Sequence, residues 1–257
     1  MFLRRASAAV AEFKAGFMEH EALREDAVEL VRVFGAPSVL PVLVPRAIAR
    51  LYRRRPAVQV VLSAEAYYGS AYILDAVACG DADLGITLFQ DEPEARALSV
   101  KPLLSMRLCA VTRRDHPLVQ RSSIDIAHLV DQLVVLPPID ALAGRIMVQE
   151  FSAAGLPFPP RRIIAANRQV TFGLVRECNA VAFMVNHPAC ADDTDEFAEL
   201  PISFRQPTPW GLSLCQRANA LPSPALTEFI VCIEALVAEA EARTLRQPTP
   251  HVRAART

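Results

Sequence analysis

Apolar and polar positions follow two rhythms along this chain. Near the start, Leu3, Ala6, Val10, Phe13 and Phe17 recur at spacings of 3, 4, 3 and 4, with Arg4, Arg5, Glu12 and Lys14 off the stripe. That is a heptad seam. An ordinary amphipathic helix folded on its own domain would show the same stripe. With no earlier element to pack on, a partner chain is the natural place to bury the two phenylalanines. Residues 1–27 are therefore read as a dimerisation helix.

From residue 29 the rhythm changes to short strand-like runs separated by helical stretches. Residues 29–34 alternate and predict a strand. Gly35-Ala36-Pro37-Ser38 is a turn, with Ser38 as N-cap of a helix over about 39–55 that turns Leu40, Leu43, Ile48 and Leu51 inward. Pro41 suits an early turn; Pro45 implies a kink or a later start. A strand at 58–62, a helix at 71–79 stopped by Gly80, a strand at 84–87 and one or two strands over 100–112 follow. The pattern then restarts. Ser123 or Asp125 caps a helix, strands are expected at 133–136, 162–166 and 180–185, and helices at 140–153 and 170–177. Extended segments at 198–204 and 212–216 precede a last helix. Ser223-Pro224 starts it, and Leu226, Phe229, Ile230, Ile233 and Val237 form its stripe. Residues 243–257 are basic, contain proline and lack periodicity, so a disordered tail is expected. Strands alternating with helices predict two α/β units in tandem, with parallel sheets and right-handed crossovers. Open sheets of this kind bind ligands beyond the carboxyl ends of their strands, and two facing units would make a cleft.

Composition narrows the functions available. At 257 residues and 52% hydrophobic content, the chain can bury a core without disulfides or metals. No run approaches the ~18 apolar residues of a membrane span. The net charge of −1 is not that of a chain gripping DNA with its whole surface. The six cysteines show neither CxxC pairing nor zinc spacing and read as buried free thiols of a cytoplasmic protein. The basic start followed by Ala6-Ser7-Ala8 imitates a secretion signal but lacks the apolar stretch, so export is not expected. No GxSxG, HExxH, P-loop or GxGxxG is present, and the five histidines lie far apart. The chain is therefore read as a non-enzyme with no cofactor and no metal. A solute-binding protein of the same fold, or less readily a small-molecule enzyme, is the alternative.

Several segments, in order, resemble a LysR-type transcriptional regulator. Phe2-Leu3-Arg4-Arg5-Ala6 through Gly16 is similar to that family's linker helix, and residues 31–45 to its first strand and helix. Gly80-Asp81-Ala82-Asp83-Leu84-Gly85-Ile86 resembles its Gly-x-Leu-Asp-Leu-Ala-Ile turn. Lys101-Pro102-Leu103, Leu108-Cys109-Ala110-Val111 and His116-Pro117-Leu118 form the most specific stretch, and Trp210-Gly211-Leu212-Ser213-Leu214 resembles the return strand. The resemblance implies a type II periplasmic-binding-protein-like α/β fold, two Rossmann-like subdomains with a hinge, preceded by the linker helix. Subdomain I would be 28–111 plus 217–242 and subdomain II 112–216, with the hinge at Thr112 and Gln216. It also implies a small-molecule effector, a homodimer or homotetramer, and DNA contact only through a winged helix-turn-helix that this sequence lacks. Two local features stand out. Where the family shows Gly-x-Gly, this chain has Cys178-Asn179-Ala180, and only Asn readily adopts a left-handed turn. Val185-Asn186-His187-Pro188 is similar to a Val-Asn-Pro segment of the octopine and nopaline regulators, which implies an amino-acid-derived effector.

The candidate effector residues come from strand ends. Ser38 and Val39 lie at the first strand–helix junction, where free N–H groups and positive potential suit a carboxylate; Ser38 is also a plain N-cap. Glu65, Tyr67 and Tyr68 follow the second strand, Glu65 able to pair with an ammonium and the tyrosines supplying apolar contact plus a hydroxyl. Leu88 ends the third strand. Pro138 and Asp140 follow the second unit's first strand, and Asp140 doubles as a possible N-cap. Asn167, Arg168 and Gln169 follow the next strand; Arg168 is either a bidentate carboxylate partner or a solvated surface residue. The run Arg46, Arg50, Arg53, Arg54 and Arg55 reads as a solvated helix face or as a match for acidic groups on a partner subunit.

Overall fold

The computed structural model describes Phe13, Gly16 and residues 29–63, 69–89, 98–190, 195–205 and 210–246. In chain order its elements are β1 (Leu30–Gly35), α1 (Leu43–Arg54), β2 (Gln59–Ser63), α2 (Gly69–Ala78), β3 (Leu84–Phe89), β4 (Leu98–Arg113), β5 (Val134–Leu136), α3 (Leu142–Ala153), β6 (Arg162–Ile164), α4 (Arg168–Cys178), β7 (Val181–Asn186), β8 (Phe197–Glu199), β9 (Trp210–Arg217) and α5 (Pro224–Arg246). The chain forms two compact units. Described residues up to Ser105 join Trp210–Ala242 in the first; the second is built on Met106–Pro209. Thr112 and Gln216 both fall inside strands, Thr112 in β4 within the second unit and Gln216 in β9 within the first.

In the first unit the strand order is β2-β1-β3-β9-β4. β1 pairs parallel with β2 and β3, as alternating strand and helix dictate. β9 pairs antiparallel with β3, so the sheet is mixed rather than wholly parallel. Leu212, Ser213, Leu214 and Cys215 of β9 are all buried, so both faces of this strand are covered, which would hold whichever way it ran. Val31 and Val33 of β1, Leu84 and Ile86 of β3, and Leu43, Val44, Ala47 and Leu51 of α1 are fully buried. Each large side chain contributes on the order of 1.5–3 kcal/mol.

α1 begins at Leu43, later than its apolar stripe suggests, and its N-cap is Val42 rather than Ser38. The two prolines explain this. In a helix starting at Val39, Ser38 would cap the N–H of residue 40 or 41, yet Pro41 has none and Leu40 N donates to Ala36 O at 3.3 Å. Pro45 would then lie in the helix interior, at a cost of about 3 kcal/mol. Starting at Leu43 places Pro45 in the first turn, where no intrahelical N–H is needed. The basic run on α1 meets acids of the same unit. Arg50 donates to both carboxylate oxygens of Glu239 at 2.8 and 2.6 Å, and Arg55 bridges Glu228 and Glu29 at 2.7 Å each. Ser223 Oγ accepts from Leu226 N at 3.1 Å and caps α5 as expected. That helix continues past Arg243 to Arg246, because the segment stays free of proline until residue 248. Residues 247–257 lie outside those described.

The second unit has the order β4-β7-β5-β6, with β8 on β4. β5 is parallel to β6 and β7, while β7 and β8 run antiparallel to β4. Asp125, not Ser123, is the cap, and it forms a capping box with His128 on a single 3-10 turn over Ile126–Leu129. In the expected extended segment 198–204 the strand ends at Glu199, and Ile202 makes an isolated bridge to Ile124. The turn before β7 needs one left-handed residue: Asn179 has φ 49°, while Ala180 is fully buried. Of the amino-terminal seam, Leu3, Ala6, Val10 and Phe17 lie outside the described residues; Phe13 is helical and 78% exposed. No helix among the described residues is long and apolar enough to cross a membrane.

Candidate functional site

In each unit the parallel strands bring several predicted residues to one sheet edge. In the first, Gly35 of β1 stands beside Ile86 of β3, and Phe34 beside Ser63 of β2. The loop leaving β1 is tied to this edge by Ala36 N donating to Ile86 O at 2.8 Å. Ser38 follows in that loop. Its Oγ is buried and has no hydrogen-bond partner among the described residues. The predicted N-cap role is thereby replaced by an uncommitted hydroxyl, able to donate and accept. Val39 is fully buried, so its side chain belongs to the core, while its carbonyl accepts from Leu43 N at 3.1 Å. Leu88 is half-buried at the end of β3, and its carbonyl accepts from Ser70 Oγ at 2.8 Å. Thr87 and Ser213, both buried, stand opposite each other in the β3–β9 register. Glu65, Tyr67 and Tyr68 lie outside the described residues.

In the second unit, β5 and β6 end together, Leu136 beside Ile164, and Ala165 N donates to Leu136 O at 2.9 Å. Pro138 is half-buried and Asp140 exposed. Asp140 does not cap α3: Ala141 is the N-cap and no side chain bonds there. The Asp140 backbone carbonyl instead accepts from Arg145 Nη1. Asn167 caps α4, its Oδ1 accepting from Val170 N at 3.1 Å. Gln169 is exposed.

Arg168 is neither solvated nor at the surface. It is 7% exposed, donates from Nη2 to Cys190 O at 3.2 Å, and lies 3.6 Å through Nη1 from Met184 Sδ. Its guanidinium stands 4.8 Å above the Phe172 ring, which packs on Phe197 at 4.7 Å; Arg176 covers Phe197 from beyond. Arginine, phenylalanine and arginine at 168, 172 and 176 share one face of α4 by their spacing. Arg168 thus anchors α4 to the turn after β7.

Asn186 was not among the predicted contact residues. It closes β7, and its Oδ1 is buried without a partner among the described residues. A polar residue ending the otherwise apolar run 180–185 is the sequence feature that marks it.

Burial pushes the Cys109 thiol up to about 12 and the Cys215 thiol to about 11, which removes both as thiolate nucleophiles near neutral pH. Burial also holds His116 below the ordinary histidine range, and its Nδ1 accepts from Leu118 N at 3.2 Å. Among the described residues no group of three His, Cys, Asp or Glu is placed to hold a metal ion.

Known proteins are similar to this chain in sequence and in fold. Residues 24–238 match the LysR substrate binding domain family. The HTH-type transcriptional regulator GalR of Pseudomonas putida is 25% identical over 198 residues, covering 77% of this chain and 49% of GalR. This chain therefore spans about half the length of that relative. The HTH-type transcriptional regulator PcaQ of Agrobacterium fabrum is 25% identical over 244 residues, 93% of this chain and 76% of PcaQ. The solved effector binding domain of BenM with its effector benzoate superposes with a TM-score of 0.59 at 19% identity, covering 86% of this chain and 96% of that one. A match over most of its length, on the fold that such domains adopt, makes this chain a member of the LysR substrate binding domain family.

Proposed function

We propose that this chain is the effector-sensing part of a LysR-type transcriptional regulator. A small organic carboxylate binds at the carboxyl ends of the parallel strands and shifts the equilibrium between two conformations. The shift is limited to the effector's differential affinity for the two states, typically ~1–3 kcal/mol of coupling. The carrying observation is the buried, uncommitted Ser38 Oγ at the end of β1. Support comes from relatives that are transcriptional regulators and from a like-folded domain bound to benzoate. On this reading Ser38, Glu65, Tyr67, Tyr68 and Leu88 serve in the first unit, and Pro138, Asp140, Asn167, Arg168 and Gln169 in the second. Arg168 acts by holding α4 in place as well as by its charge. The seam from Leu3 to Phe17 pairs two copies, a winged helix-turn-helix of the regulator contacts DNA, and the reducing cytoplasm keeps the six free cysteines as thiols.

The test is a thermal-shift screen of aromatic acids, amino acids and opines. A ligand at 100 times its Kd stabilises the fold by ~2.7 kcal/mol. The reading predicts a saturable rise in melting temperature with at least one class and no turnover of it. Steady consumption of the bound compound would assign an enzyme instead, and no stabilisation by any class would remove the sensing function.

A further inference from the structure

We propose that Asn186 selects effectors carrying an N–H or O–H donor, which its buried Oδ1 accepts. The inference rests on the effector-sensing reading above and names the chemistry that the second unit asks of the ligand.

In the β4–β7 pairing Asn186 stands opposite Arg107, and Met184 opposite Cys109. Residues two apart on a strand share a face. Met184, Ala182, Cys109 and Val111 pack with Val175 and Phe172 of α4, so this is the face that α4 covers. Arg168, the first residue of α4, lies against Met184 and the carbonyl of Cys190. Asn186 therefore occupies the end of the face where α4 begins and the parallel strands finish, the ligand edge of an open α/β sheet.

Among the described residues little is placed there to satisfy an acceptor. Arg107 gives both Nη groups to Glu199. In the turn after β7, Ala189 N donates to His187 Nδ1 at 3.1 Å and Cys190 N to His187 O at 2.8 Å. Pro188 has no N–H, and neither have Pro137 and Pro138, which follow the adjacent parallel strand β5. A buried acceptor left unmet is disfavoured, and a ligand donor that meets it gains affinity by a factor of about ten or more. A ligand lacking the donor leaves the acceptor unpaired and is discriminated against by the same factor.

The probes are benzoate, which as the anion has only acceptors, and the three monohydroxybenzoates, which add one O–H at different positions. Their affinities for the wild-type chain and for Asn186→Leu are measured by calorimetric titration, with a melting curve of each free protein. At least one hydroxybenzoate should bind wild type about tenfold or more tighter than benzoate. In Asn186→Leu that advantage should fall below about threefold, with benzoate affinity little changed. Should Asn186→Leu fail to fold, the side-chain amide resonances of Asn186 in wild type give the answer: they shift with the preferred hydroxybenzoate and not with benzoate. Equal binding of all four probes, a preference that survives in Asn186→Leu, or unmoved amide resonances overturns the inference and leaves effector sensing standing. Absence of binding by all four overturns the inference, and sensing itself falls only if the wider screen also finds nothing.

Discussion

Gly144 lies in the first turn of α3, under the loop that carries Pro138 and Asp140. A Cβ built on it would stand 2.1 Å from the Pro138 carbonyl oxygen and 2.7 Å from Ile139 Cα. Both neighbours are backbone, so no side chain can rotate away. Restoring ordinary contact requires the loop or the helix to move by about 1.3 Å, roughly 3.4 Å less the 2.1 Å observed. Overpacking of this kind costs about 1–3 kcal/mol, against a helix-propensity gain for Ala over Gly of at most ~1 kcal/mol. Gly144→Ala should therefore lose about 1–2 kcal/mol and lower Tm by roughly 3–8 °C. Gly173, inside α4, supplies the internal control. Nothing lies within 4 Å of its added Cβ, so Gly173→Ala should gain about 0.5–1 kcal/mol and raise Tm by a few degrees. Melting curves of the two variants beside wild type decide the matter. A Gly144→Ala protein that melts at or above wild type would refute the close approach of loop and helix.

Three further outcomes follow from single residues. Asn179→Ala places a residue with a stronger Cβ penalty at φ 49°; a loss of about 1 kcal/mol should appear as a lower urea midpoint, while Asn179→Gly should match or exceed wild type. His116, held below its ordinary pKa by burial, binds its proton more readily in the unfolded chain. Its contribution is present above about pH 6.5 and is lost as pH falls through the lower folded value; His116→Asn, which keeps a cap acceptor, should flatten that part of the stability–pH curve. Cys178 is exposed while Cys109, Cys190, Cys215 and Cys232 are buried, so a thiol reagent under native conditions should modify Cys178 well before those four.

Where local chemistry decides, the sequence was legible. Ser223-Pro224 started α5, Gly80 closed α2 with φ 75°, and Asn179 was the residue of its turn able to go left-handed. Strand direction was not legible, because a short run buried on both faces, as Leu212–Cys215 of β9 is, serves a parallel or an antiparallel neighbour equally. Ser38 reads as a cap because Ser before an apolar helix usually is one; Pro41 and Pro45 move the helix start beyond its reach. Arg168 carries no sequence mark of burial; Phe172 is one helical turn away, but Phe197, which packs on that ring, and Cys190, whose carbonyl accepts from Arg168, come from other segments of the chain. The partners of Arg50 and Arg55 on α5 are likewise far away in sequence, so the run looked solvated.

The most direct test of the effector site is a titration of wild type and Ser38→Ala with whichever acid the screen selects. A hydroxyl that serves no cap and no other described group can be removed at little cost to the fold, so the two free proteins should melt within a few degrees of each other. The account predicts that Ser38→Ala binds the acid about tenfold or more weakly. Unchanged affinity in a variant that folds as wild type would contradict it.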